Sequence, residues 1–369
     1  MNRIARSRIA FVFLLLLAGA SPASATKYAG EFLKSQLGAR AIGMGGAFVA
    51  VADDATAPYW NPAGMVYLPY REVLPQHSEK FGSLVIQDYL GAVFPLGGPT
   101  GRKSAVGLGL IRVAVDDIPL TLRPGDPKLQ FVDGGLDNDI TTNDPGNLDG
   151  IWEPGERLLD VGLYRASASD MALLVSFARQ RGPHWAFGGN VKFIRQSLPD
   201  IVPGDHVTSF GAGVDLGGLF MPTDAVTIGA VVHDLTTTYL AWSNGSRELI
   251  VPTLDTGASF NFYPAERHAL TWALDLAWGF ENRKLDSQLK LGSVTADLRT
   301  GLEYWYRSVL ALRSGVNGKD LAFGAGLRYK HVGVDYAAAL HRFLASDAEG
   351  FSGDQNLDAT QLVSASYSW

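Results

Sequence analysis

The chain contains no cysteine, few clustered basic residues, and, beyond its N-terminus, no apolar stretch long enough to span a membrane as a helix. Without cysteine there can be no disulfides, thiolate metal sites, thiol nucleophiles or lipid anchor on an N-terminal Cys. The formal net charge is -6, with no basic run beyond the N-terminus. Because phosphate contacts need clustered Lys and Arg, we expect no nucleic-acid partner.

Signatures of catalysis are also absent from the sequence. There is no phosphate-binding loop and no dinucleotide fingerprint. The seven histidines show no spacing typical of a catalytic triad or a metal site. We therefore expect that the protein is not an enzyme and requires no cofactor.

The N-terminus has the three parts of a secretory signal peptide. Arg3, Arg6 and Arg8 precede an apolar core over 9–18, and the small residues 23–25 form a cleavage pattern. The core is shorter than the roughly 20 residues of a spanning helix. We therefore predict a signal peptide over 1–25 and a mature chain that is either a membrane β-barrel or soluble.

Several segments of about ten residues alternate between large apolar and small side chains. In one of them Trp185, Phe187, Val191 and Phe193 alternate with small or polar residues. A soluble β-sandwich also alternates, but its polar face would carry many Lys, Glu and Thr rather than Gly and Ala. A large face with aromatic ends and a small face with isolated charges is typical of a strand between lipid and lumen. The isolated charges on the small faces are Asp215, Asp275, Glu303 and Arg328.

The pattern predicts an all-β fold, a transmembrane antiparallel up-and-down β-barrel of about 14 strands, occupying 67–369. We place long outer loops at 116–169, 236–251 and 342–359, and 284–294 could hide a further strand. The last segment ends on Trp369, similar to the terminal aromatic residue that the barrel assembly machinery reads. The predicted strands are 70–78, 83–96, 104–115, 170–180, 185–197, 207–220, 224–234, 252–262, 269–280, 296–306, 308–316, 320–330, 332–341 and 360–369.

Residues 26–66 do not have the pattern of a spanning strand. Small residues around Gly43–Gly46 permit close packing, and Asp53 and Asp54 can cap a turn of helix that Asn61 and Pro62 would end. A flexible linker would not carry the large apolar residues that occur here, among them Phe48 and Trp60. We therefore predict a compact plug, or hatch, in the barrel lumen.

The run GARAIGMGGAFVAVADDATAPYWNPAG over 38–64 closely resembles the N-terminal signature of the PorV/PorQ-like family, within the superfamily of FadL-type long-chain fatty acid transporters. The resemblance implies a fourteen-stranded outer-membrane barrel with an N-terminal luminal hatch. FadL-type members are passive conduits for hydrophobic molecules, whereas PorV-type members are cell-surface shuttle or anchor components of a protein secretion system. The expected partners are thus outer-membrane lipid, the assembly machinery, and either a hydrophobic small molecule or a secreted protein.

Within this expectation we assign candidate residues to a ligand path. For His233, which precedes Asp234, the sequence favours a structural wall residue over a catalytic one. The path candidates are Phe48, Asp53, Asp54, Asn61 and Pro62 in the hatch, with His233 and Asp275 on the wall.

An acidic stretch in the long loop resembles an EF-hand-type calcium loop. Asn147 and Asp149 would take positions 3 and 5, the Ile151 carbonyl position 7, and Glu156 position 12. Position 1 is a proline, and Asp144 lies one residue early. The alternative is a solvated acidic surface loop, so Ca²⁺ is a possible ligand rather than a required one.

Overall fold

The computed structural model describes residues 30–97, 103–121, 163–199, 206–280, 287–341 and 359–369. The predicted signal peptide and the predicted calcium loop lie outside these ranges. None of the described helices has the length and apolarity needed to cross a membrane.

Within the described residues, seventeen strands form one closed antiparallel sheet. The circumference of the barrel is closed, because β1 pairs with both β2 and β17. The strands are β1 (Glu72–Lys80), β2 (Val85–Leu96), β3 (Ser104–Thr121), β4 (Leu163–Arg181), β5 (Trp185–Pro199), β6 (His206–Thr223), β7 (Val226–His233), β8 (Thr238–Trp242), β9 (Arg247–Ile250), β10 (Thr253–Ala265), β11 (His268–Gly279), β12 (Leu289–Leu291), β13 (Val294–Tyr306), β14 (Leu310–Asn317), β15 (Asp320–Tyr329), β16 (Val332–Leu340) and β17 (Ala359–Ser368).

Fourteen of these strands form the circumference of the barrel, and the other three are short additions. β8 pairs with β6 beyond the end of β7 and also with β9, while β12 pairs with β13 alone. The predicted all-β, antiparallel barrel of fourteen strands is therefore confirmed.

The connections differ from the prediction in two places. β3 and β4 are longer than expected, so the interval 116–169 is partly strand and only 122–162 falls outside the described residues. A bulge between Val115 and Ile118, where Asp117 has φ 63°, interrupts the alternation and explains why the pattern ended early. The predicted loop 236–251 contains β8 and β9. In 284–294, where the sequence allowed a further strand, the structure has β12.

The two faces of the wall follow the predicted alternation. On β5, Phe187 is 50% exposed on the outside, whereas the neighbouring Ala186 is fully buried. Aromatic rings cluster outside the barrel at the short-turn end, where Trp185 stacks on Phe220 with centroids 4.3 Å apart. This arrangement matches an apolar band bordered by an aromatic girdle.

Residues 30–67, hereafter the hatch segment, precede β1 and pack against the inner wall. The segment contains a 3-10 turn at Glu31–Lys34, helix α1 (Ala39–Gly43), helix α2 (Ala57–Trp60) and a second 3-10 turn at Pro62–Tyr67. Helix α1 contacts β14–β17, and the second 3-10 turn contacts β2–β6. The main hydrophobic cluster of the molecule joins hatch and wall residues, so the core lies inside the barrel.

Candidate functional site: the luminal hatch

The hatch segment folds through local signals that its sequence carries. Helix α1 follows Gly38, which has φ 88°, and the chain turns back at Gly45 and Gly46, both with positive φ. Pro58 lies in the first turn of helix α2, where its missing N–H costs no hydrogen bond. The Asn61 side chain then caps the second 3-10 turn by accepting from the Ala63 amide at 3.2 Å.

Glycines on the wall allow the hatch backbone to lie directly against the strands. A Cβ added at Gly315 would lie 2.2 Å from the Gly45 nitrogen, and one added at Gly301 would lie 2.2 Å from the Met44 carbonyl oxygen. Real Cβ atoms do not approach backbone this closely, so only glycine fits at these positions. Wall glycines at which a Cβ would meet the hatch within about 3 Å are Gly91, Gly107, Gly188, Gly217, Gly229, Gly301, Gly315 and, slightly farther, Gly324.

Two side chains, Asp275 of the wall and Asn61 of the hatch, hold the central turn of the hatch. Asp275 on β11 accepts from the backbone amides of Phe48 at 2.6 Å and Val49 at 2.8 Å. Asn61 donates to the Val49 carbonyl at 2.9 Å and to the Gly218 carbonyl of β6 at 3.3 Å. Hydrogen bonds to a buried carboxylate are stronger than neutral ones, so this turn is held from two sides.

A chain of charged side chains connects the hatch to β13–β16. Arg40 of helix α1 makes two hydrogen bonds of 2.8 Å to Glu303, and its guanidinium also pairs with Asp53 at 2.5 Å and Asp54 at 3.4 Å. Burial alone would lower the pKa of Arg40, but the carboxylates of Asp53, Glu303 and Asp54 together raise it above its ordinary value. The guanidinium therefore stays charged, and the three carboxylates are held on it.

The chain of charges continues along the inner wall. Glu303 also accepts from Arg313 at 2.6 Å, and Arg313 donates to Asp335 at 2.8 Å. Asp335 in turn accepts from Arg328 at 2.6 Å, and the Trp305 ring lies beneath both guanidinium groups. Charges that looked isolated in the sequence are thus members of one network.

A second buried cluster of charged side chains lies beside the link between β7 and β8. The Lys192 ammonium is 2.8 Å from both Asp215 and Asp234, and the Asp234 amide donates to Asp215 at 2.8 Å. His233, at the end of β7, lies 3.9 Å from Asp215. Next to the cluster, Asn190 donates to the Pro58 carbonyl of the hatch at 2.6 Å, which ties helix α2 to β5.

The structure places the predicted path residues in three groups. Asp53 and Asp54 join the Arg40 network, while Phe48, Asn61 and Asp275 form the central attachment of the hatch. Phe48 and Asn61 are fully buried, and Pro62 is buried against Gly188 of β5. His233 lies apart, beside the Lys192 cluster. Their predicted role along a ligand path remains a prediction.

Sequence reasoning missed four charged residues of the two buried networks: Arg40, Lys192, Arg313 and Asp335. The available signal was that each is a charged residue within a run of small or apolar residues. The predicted calcium ligands Asp144, Asn147, Asp149, Ile151 and Glu156 lie outside the described residues. Within the described ranges, no group of three or more acidic or histidine side chains is placed to hold a metal ion.

No protein-family model and no curated protein matches the chain. Among solved structures, the CymD monoaromatic hydrocarbon channel matches with a TM-score of 0.54 at 15% identity, over 90% of this chain and 97% of its own. A mutant of the TodX monoaromatic hydrocarbon channel matches with a TM-score of 0.51 at 14% identity, over 90% and 98%. At these identities the likeness establishes the fold alone. The chain therefore shares the barrel fold of these channels, as its resemblance to the FadL-type superfamily implies.

Proposed function

We propose that this chain, which has the fold of FadL-type hydrocarbon channels, is an outer-membrane conduit for hydrophobic small molecules, fatty-acid-like in size and polarity. The observation that carries the proposal is the luminal hatch, a separate segment held on the wall by individual polar side chains. A plug of this kind suits a protein that admits selected molecules rather than a permanently open water-filled pore. The similar structures CymD and TodX are themselves hydrocarbon channels.

The proposed location is the bacterial outer membrane. Large apolar side chains cover the outside of the wall, for example Leu173, Val175 and Phe177 on β4. A band of this kind requires lipid around it, since exposed apolar patches of this extent are unusual on soluble proteins. Outer-membrane lipid is therefore the proposed surroundings of the barrel, and the assembly machinery its proposed partner during insertion.

In this proposal the hatch determines when a molecule passes. Phe48 packs edge-to-face against Trp60 with ring centroids 5.9 Å apart, inside the hydrophobic cluster shared with the wall. A ligand could meet Phe48, Asn61 and Asp275 only after the hatch had shifted. We therefore assign these residues to the gate and not to a preformed binding pocket.

The test is uptake of a labelled fatty acid, and separately of toluene, by Gram-negative cells that lack their own channel for these compounds. Cells expressing the chain should take up at least one compound faster than cells carrying the empty vector. As a matched pair, Gly315→Ala should change the uptake rate because its added methyl displaces the hatch, and Gly218→Ala on the lipid face should not. Equal uptake by cells expressing the chain and by cells carrying the empty vector would refute the conduit proposal.

A second candidate is a cell-surface shuttle or anchor of a protein secretion system, as in PorV-type proteins. The close backbone packing of hatch against wall favours it, because a barrel that only carries a partner needs no passage. Crosslinking in the native host separates the two functions. Specific crosslinks to a secreted protein, with no effect of deletion on uptake, support the shuttle, whereas uptake without such crosslinks counts against it.

A further inference from the structure

A cavity of about 200 Å³ lies between the first part of the hatch segment and the inner wall, toward the long-loop end of the barrel. Strands β1, β14, β15, β16 and β17 contribute wall residues, and the hatch contributes Ser35, Gln36, Ile42 and Gly45. For comparison, an engineered apolar cavity of about 150 Å³ accommodates benzene. The space is therefore sufficient for one six-membered ring with a small substituent.

Lys80, at the end of β1, brings a buried positive charge to this cavity. Its side chain is only 8% exposed. The ammonium donates to the Ser35 hydroxyl at 2.5 Å and to the Gln36 carbonyl at 3.4 Å, and it forms no ion pair with a carboxylate of any described residue. Lysine is almost never buried without an anionic partner, so this arrangement is incomplete as it stands.

The other buried cations of the described residues follow that rule. Lys192 has two carboxylate partners, Asp215 and Asp234. Arg313 likewise has two, Glu303 and Asp335. Lys80 is the exception among these described residues, and it lines the cavity. A bound anion at the Lys80 ammonium would complete the same pairing that Lys192 and Arg313 show.

The remaining walls of the cavity fit the rest of a small aromatic molecule. Phe81 stacks on His341 with centroids 5.9 Å apart and an angle of 21° between the planes. Ile42 and Ala339 add apolar surface. Asp320, which also lines the cavity, is held 3.0 Å from the His341 ring nitrogen.

We infer that this cavity is a binding site for a small aromatic carboxylate, with the carboxylate on the Lys80 ammonium and the ring beside the Phe81–His341 stack. The site is separate from the gate around Phe48 and Asp275. It does not depend on whether the barrel conducts hydrophobic molecules.

The experiment is equilibrium dialysis of labelled benzoate against the purified, folded barrel in detergent. Wild type should bind one benzoate per chain, and Lys80→Met should weaken binding at least tenfold because a charge-assisted hydrogen bond is lost. Lys103→Met is the matched control, since it removes an exposed lysine from the other end of the barrel. Its affinity should equal that of wild type.

Competition defines the ligand class. Unlabelled benzoate should displace the label, whereas benzyl alcohol, which has the ring without the charge, and inorganic phosphate, which has the charge without the ring, should each be at least tenfold weaker. Ala339→Leu, which fills the cavity and keeps Lys80, should also weaken binding, and it serves as the test if Lys80→Met does not fold. Three results would overturn the inference. The first is no saturable binding of benzoate, and the second is unchanged affinity in a folded Lys80→Met protein. The third is competition by benzyl alcohol or phosphate that equals competition by benzoate.

Discussion

Replacing Arg40 by methionine should loosen the hatch without unfolding the barrel. Methionine keeps most of the length of the side chain but removes the guanidinium that joins helix α1 to Glu303 of β13. Glu303 is 1% exposed, so it would lose one of its two cations in a place that water does not reach. The pair with Asp53 contributes less, because the Asp53 side chain is half exposed and solvent screens it.

The size of the effect follows from the contacts that remain. Removing one partner of a buried ion pair costs about 3–5 kcal/mol. Since Arg313 still donates to Glu303 at 2.6 Å, we take the lower end, about 3 kcal/mol. Because about 1.4 kcal/mol corresponds to a factor of ten, the equilibrium constant for local opening of the hatch should rise roughly a hundredfold.

Hydrogen exchange read by mass spectrometry measures this opening peptide by peptide. Peptides covering 38–56 should exchange roughly a hundredfold faster in Arg40→Met, while strand peptides should not change. Arg181→Met, an exposed arginine at the end of β4, is the control. The double variant Arg40→Met, Glu303→Gln should be less disturbed than the single variant, because the buried charge of Glu303 is removed together with the guanidinium that paired with it. Hatch peptides that exchange no faster than in the Arg181→Met control would refute the reasoning.

Three further predictions concern the other attachments of the hatch and wall. Gly315→Ala should shift the Met44–Gly45 turn and destabilise the hatch by about 1–3 kcal/mol. Gly218→Ala should be neutral, because its added Cβ would lie 3.7 Å from the Phe187 ring. Hydrogen exchange of the hatch checks both variants. Asp275→Ala should speed exchange of the Phe48 and Val49 amides more than Asp275→Asn, since the asparagine oxygen can still accept; equal effects would contradict the assigned bonds. Lys192→Met leaves Asp215 and Asp234 buried without their cation and should lower the free energy of unfolding by about 3–5 kcal/mol, read by urea unfolding and by heat-modifiable migration on a gel.

The barrel itself could be predicted from the sequence because its signal is local. Successive side chains on a strand point to opposite faces, so a wall between lipid and a crowded interior leaves a period of two in each segment. Trp185–Phe193 shows this pattern in the sequence, and the structure places its large residues outside. The pattern failed where geometry broke the period, as at the bulge near Asp117, and in the short β8–β9 hairpin.

The attachment of the hatch could not be predicted, because its partners are far apart in the chain. Arg40 and Glu303 are separated by 263 positions, and Phe48 and Asp275 by 227. Only the registers of the strands bring them together, and a single sequence does not reveal which inward positions face the same level of the lumen. Glu303 and Arg328 were recognisable as charges on the small face, yet nothing local to either identifies its partner.

The contacts of the hatch limit how a passage could open. Its middle, around Met44–Ala50, is held by backbone packing on wall glycines, by Asp275 and by the Arg40 network. Releasing all of these at once would cost several times the 1–5 kcal/mol of any single polar attachment, which excludes expulsion of the whole plug as a routine event. The first turn, Glu31–Gln36, is less buried apart from Phe32, and its hydrogen bonds to the wall come from the flexible side chains of Lys80 and Gln87. A conduit built on this structure would therefore open by local rearrangement that begins at residues 31–36, with the middle of the hatch remaining on the wall.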